Sequence, residues 1–222
     1  MVQVRWPDLT RECELWSAGW RRVAGVDEVG RGPLAGPLVT AAVVLSPFAD
    51  YPWLAIVRDS KQLTSRRRAC LAPRIRRDVA FAFGATSPAE IDRLGVAVAG
   101  RLAMCRAVRR LRPAPDFVLV DGFGVPELDL PHRAVVRGDE QCATIAAASV
   151  LAKVLRDDLM RRLDARLPGY GFARHAGYGT AVHREAIRRL GPSPLHRRSF
   201  LARVLEERSA SVCPAGAVGR PA

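Results

Sequence analysis

The 222-residue chain is 49% hydrophobic, long enough to bury a substantial core, and of a size that fits one large domain or two small ones. Its formal net charge of +13 points to a polyanionic partner, nucleic acid or another anionic surface, without separating an enzyme from a binding module. No apolar run approaches the roughly 18 residues of a membrane span, and the start around Trp6, Asp8 and Glu12 lacks a signal-peptide pattern. The expectation is therefore one cytoplasmic domain over residues 1–208. Cys13, Cys70, Cys105, Cys142 and Cys213 are odd in number and form no Cys-x-x-Cys pair, so they read as reduced, mostly buried thiols rather than a disulfide framework or zinc site.

Taken in chain order, Val23 to Val26 is a short apolar run that leads into Asp27 and Glu28. A Gly-Arg-Gly-Pro turn at 30–33 and the β-rich run Leu38 to Leu45 follow, which predicts two neighbouring strands with a Gly/Pro connection. Arg66 to Arg77 reads as a solvated basic face, and Val79 to Phe83 as a third strand. Ser87 with Glu90 forms a capping box that opens a helix to about Leu111, ended by Pro113 and Pro115. Phe117 to Val120 predicts a buried strand delivering Asp121, and Ala134 to Val136 a strand ending at Gly138 and Asp139. Apolar residues recur at helical spacing from Glu140 to Leu163. After a glycine-rich loop, Thr180 caps a helix to about Leu190, and a last helix is expected over Phe200 to Arg208. Residues 209–222 read as a disordered tail. The order of strands and helices predicts an α/β fold with a mixed central sheet.

Asp27, Glu28, Asp121 and Asp139 each fall at or just past a predicted strand end, where carboxylates can converge. Hard oxygen ligands of this kind suit magnesium or manganese, and two such ions can clamp the attacking and leaving oxygens of a phosphodiester. Singly, the acids have plainer readings: Asp139 as a helix N-cap, Asp121 as a turn residue, the Asp-Glu pair as solvated surface. Adjacent strand residues also face opposite ways, so Asp27 and Glu28 share a site only if the chain turns or bulges between them. Only Lys61 and Lys153 are lysine among 35 basic residues, which reads either as a need for a compact ammonium at these two places or as chance retention.

The segment Ala24-Gly25-Val26-Asp27-Glu28-Val29-Gly30-Arg31-Gly32-Pro33-Leu34-Ala35-Gly36-Pro37 resembles the signature of the type 2 ribonucleases H, closest to the bacterial ribonuclease HII family. Further blocks resemble the family in the same order: Asp59 to Leu63, Val120 to Gly122, Gly138-Asp139, Ala146 to Ser149 with Ala152-Lys153, Gly177 to Thr180, and His196 to Phe200. The resemblance spans about residues 9 to 203. It implies a ribonuclease H-like α/β fold with a C-terminal helical extension, and a monomeric endonuclease that uses Mn²⁺ or Mg²⁺. The implied partners are RNA–DNA hybrids and DNA duplexes containing ribonucleotides, cut on the 5′ side of the ribonucleotide. By resemblance, Asp27, Glu28, Asp121 and Asp139 hold the metals. Gly30, Arg31 and Gly32 approach the ribose, Tyr178 stacks beside it, and Lys61, Ser149 and Lys153 contact the nucleic-acid backbone.

Two positions depart from the family pattern. Ala176 stands where lysine is usual, and Arg137 replaces lysine before Gly138. His175 or Arg174 is expected to supply the charge missing at 176. His196 by itself reads as an ordinary loop histidine. Ribonuclease HIII shares the chemistry but carries an additional N-terminal domain, and only about twenty residues precede Val23. A non-catalytic basic nucleic-acid-binding module is the rival from another class, with binding that falls steeply with salt and no metal dependence.

Overall fold

The computed structural model describes residues 6–47, 49–57, 60–202 and 204. The expected tail beyond Ser209 lies outside these residues, as does most of the helix expected over Phe200 to Arg208. Among the described residues, one five-stranded sheet organises the chain, in the order β3-β2-β1-β4-β5. Its strands are β1 (Val23–Val29), β2 (Leu38–Val44), β3 (Ala80–Thr86), β4 (Phe117–Asp121) and β5 (His132–Val135). Strands β1, β2 and β3 are antiparallel; β4 and β5 run parallel to β1. The mixed α/β sheet matches the expectation, with β5 beginning two residues before the predicted start.

Helix α5 (Ala143–Arg166) covers one face of the sheet. Its buried N-terminal half is rich in alanine, including Ala143, Ala146, Ala147, Ala148 and Ala152, which lets it lie close to β1. At the closest approach only glycine fits: a Cβ on Gly25 would come within 2.3 Å of the Thr144 carbonyl carbon. The start of α5 has no cap from its own N-terminal residue. Glu12, on α1 (Thr10–Ser17), supplies one from 132 positions away, its Oε1 accepting from Thr144 N at 2.9 Å and Thr144 Oγ1 at 2.6 Å. Burial raises the Glu12 pKa, and these two donors oppose that shift.

The opposite face is covered by α4 (Val96–Arg110), whose Met104, Ala107 and Val108 pack with Ala24, Val26, Val118 and Val120. The single helix expected from Ser87 to Leu111 is two helices. α3 (Pro88–Leu94) opens with the expected capping box, and Gly95 at φ +76° then breaks the chain before α4. Residues 66–77 are more than a solvated face. They lie in α2 (Ser65–Asp78), which buries Leu71, Ala72 and Ile75 and leaves Arg66, Arg67 and Arg74 exposed. A C-terminal layer contains α6 (Phe172–His175) and α7 (Ala181–Leu190), the latter capped by Thr180 as expected. Cys105 and Cys142 are buried whereas Cys13 and Cys70 are exposed, so the thiols described are only half of them interior. None of the described helices is long and apolar enough to cross a membrane.

Candidate active site

Because β1, β4 and β5 are parallel, their C-terminal ends open on the same edge of the sheet. Asp27 lies near the end of β1, Asp121 closes β4, and Asp139 sits in the 3-10 turn Gly138–Glu140 just after β5. Carboxylate oxygens of these three residues lie within 4.8 Å of one another. The turn is tied to β4 directly: Gly138 N donates to Asp121 Oδ1 at 2.6 Å.

Such crowding is electrostatically unfavourable without cations. Asp27 is buried, and its pKa is raised well above the usual carboxylate range, first by burial and then by the charges of Glu28 and Asp121. Burial also raises Asp121, against the donors at Gly138 and Asp139 and the charge of Lys61. The donor set is made of hard oxygens in a partly desolvated recess, so the chemistry of these residues fits a hard divalent cation.

Glu28 is arranged differently. No bulge or turn separates it from Asp27: the pairing Asp27↔Ala41, Glu28↔Thr40, Val29↔Val39 is regular, and the chain bends only at Gly30. Strand alternation therefore puts Asp27 on the α5 face, where it meets Ser149, and Glu28 on the α4 face with Ala24 and Val26. Glu28 is outside the group of three. Its Oε1 accepts from Arg31 Nη1 at 3.0 Å, while its Oε2 is buried without a hydrogen-bond partner. An orphaned carboxylate oxygen beside a buried acid is the kind of group a cation would satisfy.

Several loops surround the acids. Lys61 is exposed, with Nζ 3.6 Å from Asp139 Oδ2. Its loop is held by buried Arg68, whose Nη1 donates to Ser60 O and Leu63 O. Ser149 is buried beside Asp27, whose charged form it favours, and its Oγ donates to Ser60 Oγ at 2.9 Å. Lys153 is half-buried and paired with Asp157 one turn along α5, at 2.7 Å. The turn at Gly30, Arg31 and Gly32 lies next to Tyr178, for a Cβ on Gly32 would be 4.0 Å from Tyr178 Cε1. That tyrosine is 44% exposed, so its ring presents a face to solvent beside the exposed Gly32 backbone.

The sequence profile of the family described as Ribonuclease HII matches residues 24–203. The chain belongs to the ribonuclease HII family. A ribonuclease HII of Geobacillus kaustophilus (strain HTA426) is 52% identical over 201 residues, covering 90% of this chain and 76% of that protein. One from Syntrophotalea carbinolica is 53% identical over 190 residues, covering 85% and 90%. Among solved structures, the ribonuclease H2 of Pyrococcus horikoshii OT3 superposes with a TM-score of 0.68 at 25% identity, covering 85% of this chain and 99% of that one. The chain is accordingly a ribonuclease H-type endonuclease on the fold of that family.

Sequence reasoning overlooked the groups that hold the family's loops in place. Arg156 and Arg197 are wholly buried, yet nothing in the sequence, not even the His196 to Phe200 block that holds Arg197, marks either as interior. His196 is more than a loop histidine: its Nε2 is 3.1 Å from Nε2 of buried His183, whose Nδ1 donates to Tyr178 O. Both rings are held near pKa 4, chiefly by burial. His175 cannot replace a lysine at 176 in this arrangement. Its Nδ1 accepts from Gly177 N and its Nε2 therefore donates to Tyr170 O, which is the pattern of a neutral ring. Arg174 is exposed.

Proposed function

We propose that this endonuclease cuts 5′ to ribonucleotides embedded in duplex DNA, and within the RNA strand of RNA–DNA hybrids, leaving a 5′-phosphate and a 3′-hydroxyl. The observation that carries the proposal is the cluster Asp27, Asp121 and Asp139 standing near a glycine turn with a partly exposed tyrosine on it. Asp27, Asp121 and Asp139 would hold divalent cations, with Mn²⁺ and Mg²⁺ the expected ions; although no bulge brings Glu28 onto their face, it would join them from the strand edge, where its charge already acts on Asp27 and its Oε2 has no partner. Bound there, such ions supply an activated water and offset charge on the leaving 3′-oxygen.

The remaining steps belong to the chain itself. Ser149, beside Asp27, would favour its charged form, and Gly138 N orients Asp121. The Gly30, Arg31 and Gly32 backbone, with Tyr178 beside it, would touch the sugar and sense the 2′-hydroxyl, the group that separates RNA from DNA at one nucleotide. Lys61 and Lys153 would face the phosphates. We further infer a single catalytic domain over residues 1–208, acting as a monomer in the cytoplasm.

The test is cleavage of three end-labelled duplexes: one with a single ribonucleotide, its all-DNA counterpart, and a long hybrid. With Mg²⁺ or Mn²⁺ the first and third are cut and the second is not. Cutting that persists in excess EDTA, or that ignores the ribonucleotide, overturns the proposal.

A further inference from the structure

Two guanidinium groups lie behind the glycine turn and the tyrosine turn. Arg156, from α5, and Arg197, just before the last 3-10 turn, are both 0% exposed. Neither pairs with a carboxylate in a salt bridge among the described residues. Instead their donors go to main-chain carbonyls. Arg197 donates to Gly30 O at 2.5 Å, Arg31 O at 2.8 Å, and Gly36 O at 2.9 and 3.1 Å. Arg156 donates to Pro37 O at 3.0 Å, Ala35 O at 3.2 Å and Ala176 O at 3.0 Å.

Those carbonyls belong to two loops some 140 positions apart in the chain. Gly30 to Pro37 carries the glycine turn, and Ala176 sits two residues before Tyr178. Arg156 touches both. The loops are also joined by Leu34 N to Gly177 O at 2.9 Å, and Arg197 N donates to Leu34 O at 2.8 Å. Gly30 is at φ +98°, and a Cβ there would come within 2.4 Å of Arg156 Nε, so turn and guanidinium are fitted to each other.

Burying a guanidinium without a carboxylate is costly, and an apolar side chain of similar volume would fill the same space with less penalty. What arginine adds is a rigid planar fork that reaches several acceptors at once, which neither a lysine nor an apolar residue can do. Apart from the isolated bridge of Ala35 with His196 and a few main-chain bonds, these segments lie outside the sheet, so the forks add most of the contacts that tie the Gly30 turn and the Ala176 carbonyl to the body of the protein.

We infer that Arg156 and Arg197 are positioning residues that lock the Gly30–Gly32 turn against the Tyr178 turn and so set the preference for a ribonucleotide. The inference rests on the reading of these two loops as the ribose sensor. A role confined to folding would change stability, or binding to every duplex alike. A positioning role changes the ratio between duplexes.

The experiment measures binding of a duplex with one ribonucleotide and of its all-DNA counterpart, with calcium in place of the catalytic ion. The proteins are the full chain, Arg156→Met and Arg197→Met, with Arg156→Lys and Arg197→Lys as milder changes, each with a melting temperature. Loss of a well-placed hydrogen bond to the 2′-hydroxyl predicts that the preference falls about five-fold in the methionine variants, while all-DNA binding stays within about two-fold. The lysine variants lose the preference too, because an ammonium cannot span the same carbonyls. If a methionine variant fails to fold, its lysine counterpart decides the matter by the same ratio. Folded variants that keep the full preference, or that weaken on both duplexes equally, overturn the inference. A wild-type chain with no preference overturns the reading of the loops, and this inference with it.

Discussion

The carboxylate cluster and the loops beside it are built in opposite ways. Asp27 and Asp121 sit on strands whose backbone pairing fixes them, and Asp139 is tied to Asp121 through Gly138 N. The loops at Gly30 and Tyr178 lie outside the sheet and are joined by a main-chain bond from Leu34 N to Gly177 O and by side-chain donors: the nearby His183, and Arg156 and Arg197 from farther along the chain. The first region concentrates unfavourable charge on the strands of the sheet; the second collects favourable contacts between loops. A change at an acid should therefore remove chemistry and leave the fold, while a change in the loops should alter selectivity or stability first.

The largest effect is expected at Asp27. Asp27→Asn keeps the shape but removes the charge, and single-turnover cleavage should fall by about a thousand-fold or more, the loss of several kcal/mol of metal-based stabilisation. Its stability should move the other way. The folded pKa of Asp27 lies above its unfolded value, so its contribution is favourable only while it is protonated and is lost as pH rises through the folded pKa. At pH 8 without divalent ions, the asparagine variant should melt at a higher temperature than the wild type; a lower one would mean that the acids are not mutually repelling.

In the loops, Tyr178→Ala should slow cleavage at a single ribonucleotide by about ten-fold, the usual worth of an aromatic stack, with all-DNA binding little changed. Equal losses on both duplexes would deny the ring its place beside the sugar. Glu12→Ala probes the frame: removing the remote cap of α5 should cost about 1–2 kcal/mol in denaturant unfolding. The mildest effect concerns pH. His183 and His196 have folded pKa values of about 4, below the unfolded 6.5, so the stability they contribute is present above pH 6.5 and lost as pH falls toward about 4. The loss in melting temperature between pH 7 and 5 should be smaller in His183→Gln than in the wild type, and an identical loss would contradict it.

The same contrast explains what could be read from the sequence. Asp27, Asp121 and Asp139 were visible because short apolar runs announce strands and an acid at a strand end is conspicuous. The mixed sheet followed from the order of those runs. Helix α2 was not visible, since its three buried apolar residues are diluted among arginines and its Pro73 argues against a helix. The break at Gly95 was hidden by helical periodicity on both sides. Glu28 shows a subtler limit: pattern placed it beside Asp27, but only the uninterrupted register with Thr40 shows that it reaches the edge from the other face. Arg156 carried no mark in the sequence, and Arg197 stood only as one residue of the His196 to Phe200 block, because what distinguishes both is burial and the carbonyls they find, which depend on contacts far along the chain.

The most direct test of this division is to measure both functions in one variant. Asp121→Asn removes one of the three clustered acids and touches neither loop. With Mg²⁺ or Mn²⁺ it should no longer cut a duplex bearing one ribonucleotide, yet in calcium it should still bind that duplex more tightly than the all-DNA one. Full cleavage by Asp121→Asn would contradict the assignment of the chemistry to the acids, and loss of the binding preference together with cleavage would contradict the separation of the two regions.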